Sequence, residues 1–407
     1  MKRAIGIALA LLSPLGLVTA WAWADTDWGG LPPASLAQAR LAQNLPALAT
    51  VLPARQAPPL DVAGLPAWTP PAAAPRTITR RPANVAELRE ALKQARPGEV
   101  IELQAGDHVL NRPLYAGGPG LPDAPIVLRG APGARLLSET TEAFKLNRPW
   151  WVIEHLEMTG HCARPAACEH ALHIVGAAQH VVLTGLQLRD FNAAIKVNGE
   201  GGVWPDHGLL SHSLLRNTAP RPGSAPATPF DLVGASFWRV EDSRIWGVAK
   251  AGGNGIAYAA FMKGGGQGGR FERNLVVCAP DAAFAGAGAQ VGLSFGGGKT
   301  DPRLLRDQQT RLEHIQGLAE GNAVLNCNDT ALDVNDSAGI VLRGNVLLGS
   351  GGVMVRGVGA NAEYVGNTSS RPAYARPGNQ LDARDNRRFA PETRDAAQLL
   401  ASLKPTR

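Results

Sequence analysis

The chain has 407 residues, of which only 5 % are aromatic, with 47 glycines and 31 prolines marking a turn-dense sequence. Its formal net charge of +6 and pI near 9.3 favour an anionic partner. Basic residues are scattered and no known nucleic-acid-binding motif is present, so no nucleic-acid partner is expected.

At the N-terminus Lys2 and Arg3 precede the apolar run AIGIALALLSPLGLV, and Ala22-Trp23-Ala24 offers an A-x-A cleavage site before Asp25. Residues 1–24 are therefore expected to be a signal peptide, cleaved on export to leave a secreted or periplasmic protein. The alternative is a signal anchor, since Ala4–Ala24 is just long enough to span a bilayer. No later segment is apolar enough to span a membrane, so none is expected after cleavage. Residues 25–76, rich in Ala, Pro and Leu, predict a linker or an arm on the body, with a short helix over SLAQARLAQNL. Then NVAELREALKQARPGE carries Leu and Ala at helical spacing, with Asn84 as N-cap and Pro97-Gly98 as stop. A helix there is placed to cover the open end of a stacked structure.

Beyond the helix one short phrase recurs: a strand, a turn, a second strand, then a small polar residue. The copies include LHIVGAAQHVVLTGLQL, FDLVGASFWRVEDSRI, AFMKGGGQGGRFERNLVV, LDVNDSAGIVLRGNVLL and VMVRGVGANAEYVGNTS. The polar slot falls at Ser213, Ser243, Asn274, Asn322, Asn345 and Asn367, with Leu186 ahead of them. Slots lie about 22 to 31 residues apart, with one gap of about 48 holding long loops; periods of this size signal a solenoid. The alternation within each copy is that of strands, so the fold class is all-β, a parallel β-helix over residues 77–370 including its capping helix. Residues 371–407, Arg- and Pro-rich, are expected to form a C-terminal cap or tail. Cys162 and Cys168 bracket a short loop, while Cys278 and Cys327 follow polar slots on successive coils. Export and this register predict two structural disulfides, Cys162–Cys168 and Cys278–Cys327, and no metal centre.

The order of short helix, PGEVIELQAGDHVL, PIVLRGAPGARLL and then coils resembles the opening of the chondroitinase-B-like polysaccharide lyases. That group includes alginate lyases and belongs to the pectate-lyase-like right-handed parallel β-helices. The resemblance runs from about Val85 to Asn367 and implies chemistry on the outer face of the stacked strands, with an acidic polysaccharide as partner.

Side chains alternate between the faces of a strand. With Ile174, Val197, Leu232, Met262, Phe295, Val334 and Val355 pointing inward, two columns point outward in the strand that opens each copy. Their candidate glycan-binding residues are Lys196, Asn198, Asp231, Phe261 as an exposed aromatic, Asp333, Asn335 and Arg356. Insertions on either side of the Ser294 strand are expected to wall this face.

β-Elimination from a polyuronide removes the C5 proton, neutralises the adjacent carboxylate and protonates the leaving O4. In the family the base is a lysine on such a strand, and the matching residue is Lys263 in AFMKGGG. The family's arginine one coil later falls on Gly296, and the acidic calcium ligands expected upstream of the lysine are missing from GNGIAYAAFMK. Calcium is the one cofactor the resemblance raises, and no metal ligands are assigned. Tyr258, Lys299 and Arg303 are the candidates to supply the acid or neutralising role. A non-catalytic glycan binder and a hydrolase or epimerase remain open on the same scaffold, but Asp231 and Asp333 lie about three coils apart, too far for a glycosidase pair. FGGGKT is no phosphate loop, because Leu293 stands where that motif needs glycine. A monomer is expected.

Overall fold

The computed structural model describes residues 59–307, 311–390 and 393–403. The expected export signal over 1–24, the 25–58 part of the linker and the helix over 35–45 lie outside the described residues. Among the described residues no helix is long and apolar enough to cross a membrane.

Helix Val85–Lys93 opens the body as its sequence predicts. The Asn84 side chain accepts from the Glu87 amide at 3.0 Å, and the Glu87 carboxylate returns the contact to the Ala83 amide at 2.8 Å, satisfying amides that the first turn leaves unpaired. Its apolar stripe, Leu88, Ala91 and Leu92, joins the core beside Leu103, Leu110 and Leu114 of the first coil. The chain then winds as a right-handed parallel β-helix. Each full coil contributes one strand to each of three long parallel sheets, of 11, 11 and 10 strands. The first runs from Val100–Leu103 to Gln380–Arg384, the second from Gly106–Leu110 to Arg387–Arg388, and the third from Leu114–Tyr115 to Ala373–Ala375. Strands of the third sheet are those that open each copy of the repeat.

The predicted inward stack is present. Ile174, Val197, Leu232, Met262, Phe295, Val334 and Val355 are direct partners on successive strands of the third sheet, and all are buried in one continuous core. Lining up equivalent apolar side chains coil after coil removes them from water without any closed globular interior.

The polar slots form a second ladder, at the turn between the first and second sheets. Each slot's side-chain oxygen accepts the main-chain amide of the slot before it: Leu186 N to Ser213 at 3.1 Å, Ser213 N to Ser243 at 3.1 Å, and Ser243 N to Asn274 at 3.1 Å. Asparagines then continue through Asn322, Asn345 and Asn367 to Asn386. Replacing Asn322 by alanine strips the Asn274 amide of its acceptor and removes the donation to Phe271 O at 2.8 Å, all within a buried turn. A loss of about 2–5 kcal/mol is expected from orphaned buried groups, read as a lower denaturant midpoint. Asn322→Ser should recover part of it, because serine fills the slot at Ser213 and Ser243; full stability of the alanine variant would refute the ladder's role.

The repeat runs further than its sequence signal. Strands Ala373–Ala375, Gln380–Arg384 and Arg387–Arg388 extend all three sheets past residue 370, where a cap or tail was expected to begin. The helix Ala396–Ser402 lies on a flank: with Leu60 and Val62 it buries the outer side of the second sheet at Val277, Leu325 and Leu348. Asp61 N donates to Arg394 O at 2.7 Å and Ala396 N to Asp61 O at 2.8 Å, while Asn326 exchanges two hydrogen bonds with the Leu60 backbone, at 2.8 and 3.0 Å. Both predicted disulfides, Cys162–Cys168 and Cys278–Cys327, are formed, which fits an extracellular or periplasmic protein.

His207 and His212 stand at corners, outside the strands, in left-handed backbone with φ of 62° and 47°. His207 belongs to a column of stacked rings, Trp150, His180, His207 and Phe237, with centroids 4.0, 5.0 and 4.9 Å apart. The column stops at Gly268, where a Cβ would lie 2.5 Å from the Phe237 ring.

Candidate functional site

The outer face of the third sheet gathers most of the predicted site residues. His173, Lys196, Asp231, Phe261, Ser294, Asp333 and Met354 follow one another in register. In the neighbouring column Val175, Asn198, Val233 and Lys263 are likewise in register, and Asn335 pairs with Arg356. The strand holding Lys263 carries an irregularity that matters. Ala259 and Ala260 both enter the core, so the alternation skips once and Tyr258 returns to the same side as Phe261.

The position where the resemblance would put an arginine cannot hold a side chain. At Gly296 the backbone φ is +95°, and a Cβ would fall 1.9 Å from the Asn335 carbonyl oxygen. Here the chain leaves the sheet and folds back over it. The Asn335 side-chain amide donates to Gly297 O, and Glu313, at the far end of the insertion, accepts from Thr300 N at its near end at 2.8 Å and from Gly264 N of the preceding coil at 2.9 Å. Arg306 fastens the middle, paired with Asp206 at 2.7 and 2.8 Å and bonded to Gly234 O at 3.1 Å.

This fold-back corrects two expectations. Phe261, read as an exposed aromatic, is only 5 % exposed, and Asn335 is buried as a tether of the loop instead of facing a ligand. It also separates the helper candidates. Arg303 is committed to Asp301, with Nε at 3.0 Å from Oδ1 on an open surface, and Lys299 is exposed beside Gly298.

Lys263 sits half-buried at the mouth of this arrangement. Its Nζ lies 4.9 Å from the Phe261 ring centroid and donates to Gly298 O at 3.3 Å. Burial pulls its pKa below the ordinary 10.5; Asp231 and Glu313 work against that, and Lys196 adds to it. Asp231 is itself held by Lys196 at 2.7 Å. Further back along the same strand and on the same face, Tyr258 meets the same Phe261 ring edge-on at 5.6 Å. Burial, reinforced by Asp333, pushes the Tyr258 hydroxyl up to about 12 against the opposing pull of Arg356, which hydrogen-bonds to it. Arg356 grips Asp333 with two bonds of 2.8 Å, and Ser294 donates to the same carboxylate at 3.2 Å. The structure thus joins Tyr258, Arg356, Asp333 and Ser294 into one network next to Phe261 and Lys263.

Further along the first column His173 bridges Glu142 and Asn198 Oδ1, both at 2.9 Å. Glu142 and Glu313 were not singled out from the sequence; both lie outside the repeat's strand columns or before its first clear copy. The carboxylates of this face are spread among cations and backbone amides. Among the described residues no three His, Cys, Asp or Glu side chains converge to hold a metal ion.

No protein-family model matches the chain, and no curated protein matches it by sequence. Solved structures share the fold. A GH136 lacto-N-biosidase from Eubacterium ramulus is 13 % identical with a TM-score of 0.51, over 76 % of this chain and 64 % of that one. The pectate lyase Pel9A is 17 % identical with a TM-score of 0.51, over 76 % of this chain and 80 % of that one. The chain therefore spans less than two thirds of the lacto-N-biosidase. At these identities the likeness is one of fold alone, a right-handed parallel β-helix, and the two neighbours differ in their chemistry.

Proposed function

We propose that the outer face of the third sheet cleaves an acidic, uronate-containing polysaccharide by β-elimination. The observation that carries this reading is the pairing, across one aromatic ring, of a lysine whose pKa burial lowers with a tyrosine whose pKa burial raises. The first shift favours the neutral amine that a base needs, and the second keeps the tyrosine in the protonated form from which a proton can be given. The neutral Lys263 amine takes the C5 proton of the uronate. The electron pair left at C5 forms the C4–C5 double bond, the C4–O4 bond breaks, and the Tyr258 hydroxyl protonates O4. Arg356, from another coil, stands beside Tyr258 and takes the neutralising part that Gly296 cannot play by exchanging its Asp333 partner for the substrate carboxylate.

A hydrolytic reading finds less support. Asp231 and Asp333 are three strands apart in one column, about 14 Å, and each is held in a salt bridge; a glycosidase pair needs two carboxyls within roughly 10 Å.

The test is a panel of alginate, pectate, chondroitin, dermatan and hyaluronan, followed by the ultraviolet absorbance of unsaturated uronate. Absorbance is expected to rise with at least one polymer and to survive EDTA. Binding to these polymers with no product from any would replace the lyase by a glycan-binding protein; product that vanishes with EDTA and returns with calcium would overturn the metal-free assignment.

A further inference from the structure

The first outward column does not end at Met354. The last strand of the third sheet pairs Met354 with Tyr374 and Val355 with Ala375, and Arg376 N still donates to Val355 O at 2.9 Å. Tyr374 therefore stands in line with Asp333 and Met354, and Arg376 follows Arg356 in the next column. Tyr374 is 39 % exposed, whereas Phe261 in the same column is buried under the insertion. An accessible aromatic ring next to a guanidinium, at the rim of a sheet, is suited to an acidic sugar: the ring packs against the pyranose C–H face, and the guanidinium forks onto the carboxylate.

We infer that Tyr374 and Arg376 form a remote subsite for a uronate residue of the polysaccharide chain. Tyr374 lies four strands from Phe261, about 19 Å at the inter-strand spacing, or about four sugar units from the position of bond cleavage. The inference rests on the lyase face proposed above and adds a length requirement to it: only chains that reach from Lys263 to Tyr374 gain from the subsite.

The experiment measures binding to the Lys263→Ala protein, so that substrate persists, using oligogalacturonate and oligomannuronate trimers and heptamers, and a neutral cello-oligosaccharide of similar length. Adding Tyr374→Ala is expected to weaken binding of an acidic heptamer roughly tenfold, the scale of a lost aromatic contact, while trimer binding is unchanged. Adding Arg376→Gln should erase the preference of that heptamer over the neutral chain. Tyr374→Phe, which keeps the ring, should behave as the parent, and thermal melts of each variant verify the fold. Heptamer binding that is indifferent to both substitutions, or trimer binding that falls equally, overturns the subsite while leaving the lyase face intact. No binding of any acidic oligosaccharide by the parent overturns both.

Discussion

Lys263→Ala is expected to abolish unsaturated product, with kcat/KM falling by about 10²–10⁴ if the amine is the general base, while binding of the polymer persists. Lys263→Arg should be just as inactive, because it keeps the positive charge but cannot release a proton at working pH. The pH profile carries an independent signature. Only the neutral amine can accept the C5 proton, so kcat/KM should rise with pH and level off above the folded-state pKa of Lys263. Burial sets that pKa below 10.5. The Tyr258 hydroxyl, raised to about 12, stays protonated through the plateau, so no falling limb from the acid is expected on the mildly alkaline side. Tyr258→Phe should lower kcat with little change in polymer binding. Undiminished product from Lys263→Ala would remove the lysine from the mechanism whatever the profile looks like.

The second large effect is structural. Val334 is fully buried between Phe295 and Val355 in the inward stack. Val334→Asp puts a carboxylate where the apolar core offers no counter-charge, at a cost of several kcal/mol, a large part of the ~5–15 kcal/mol that holds a typical domain together. Val334→Ala, which only removes two methyl groups, should cost about 2 kcal/mol. Because each coil leans on its neighbours, the aspartate should unfold the coils on both sides together. Circular-dichroism melts separate these cases; an aspartate variant as stable as the parent would disprove the register of the stack.

That register was readable from residues alone. Period-two alternation around Ile174, Leu232 and Val334 specifies which face is buried, since a slip by one residue would expose the whole set. The serine–asparagine slots were equally visible, and so were both disulfides. The site was less so. Phe261 alternates like an exposed residue, and what covers it is a loop held by Glu313, 49 residues from Gly264, and by Arg306, 100 residues from Asp206. No local pattern encodes contacts of that span. The skip at Ala259-Ala260, which returns Tyr258 to the face, looks in sequence like any small apolar pair. Tyr374 and Asn386 escaped because the spacing shortens in the final coil and charged residues blur its alternation.

The contact between the segment at Leu60–Val62 and the helix Ala396–Ser402 bears on how the chain acquires its shape over time. A solenoid can be assembled coil upon coil, each strand finding a partner laid down just before it. The Leu60 segment cannot be placed that way. Its hydrogen bonds reach Asn326, 266 residues away, and Asp61 bridges to Asp395, so it must wait until nearly the whole described body has formed. The flank of the second sheet at Val277, Leu325 and Leu348 stays greasy and uncovered in the interim. Closure of this clasp is therefore expected late in folding, with pulse-labelling hydrogen exchange protecting the Leu60 and Asp61 amides after those of the coils; earlier protection would overturn that order.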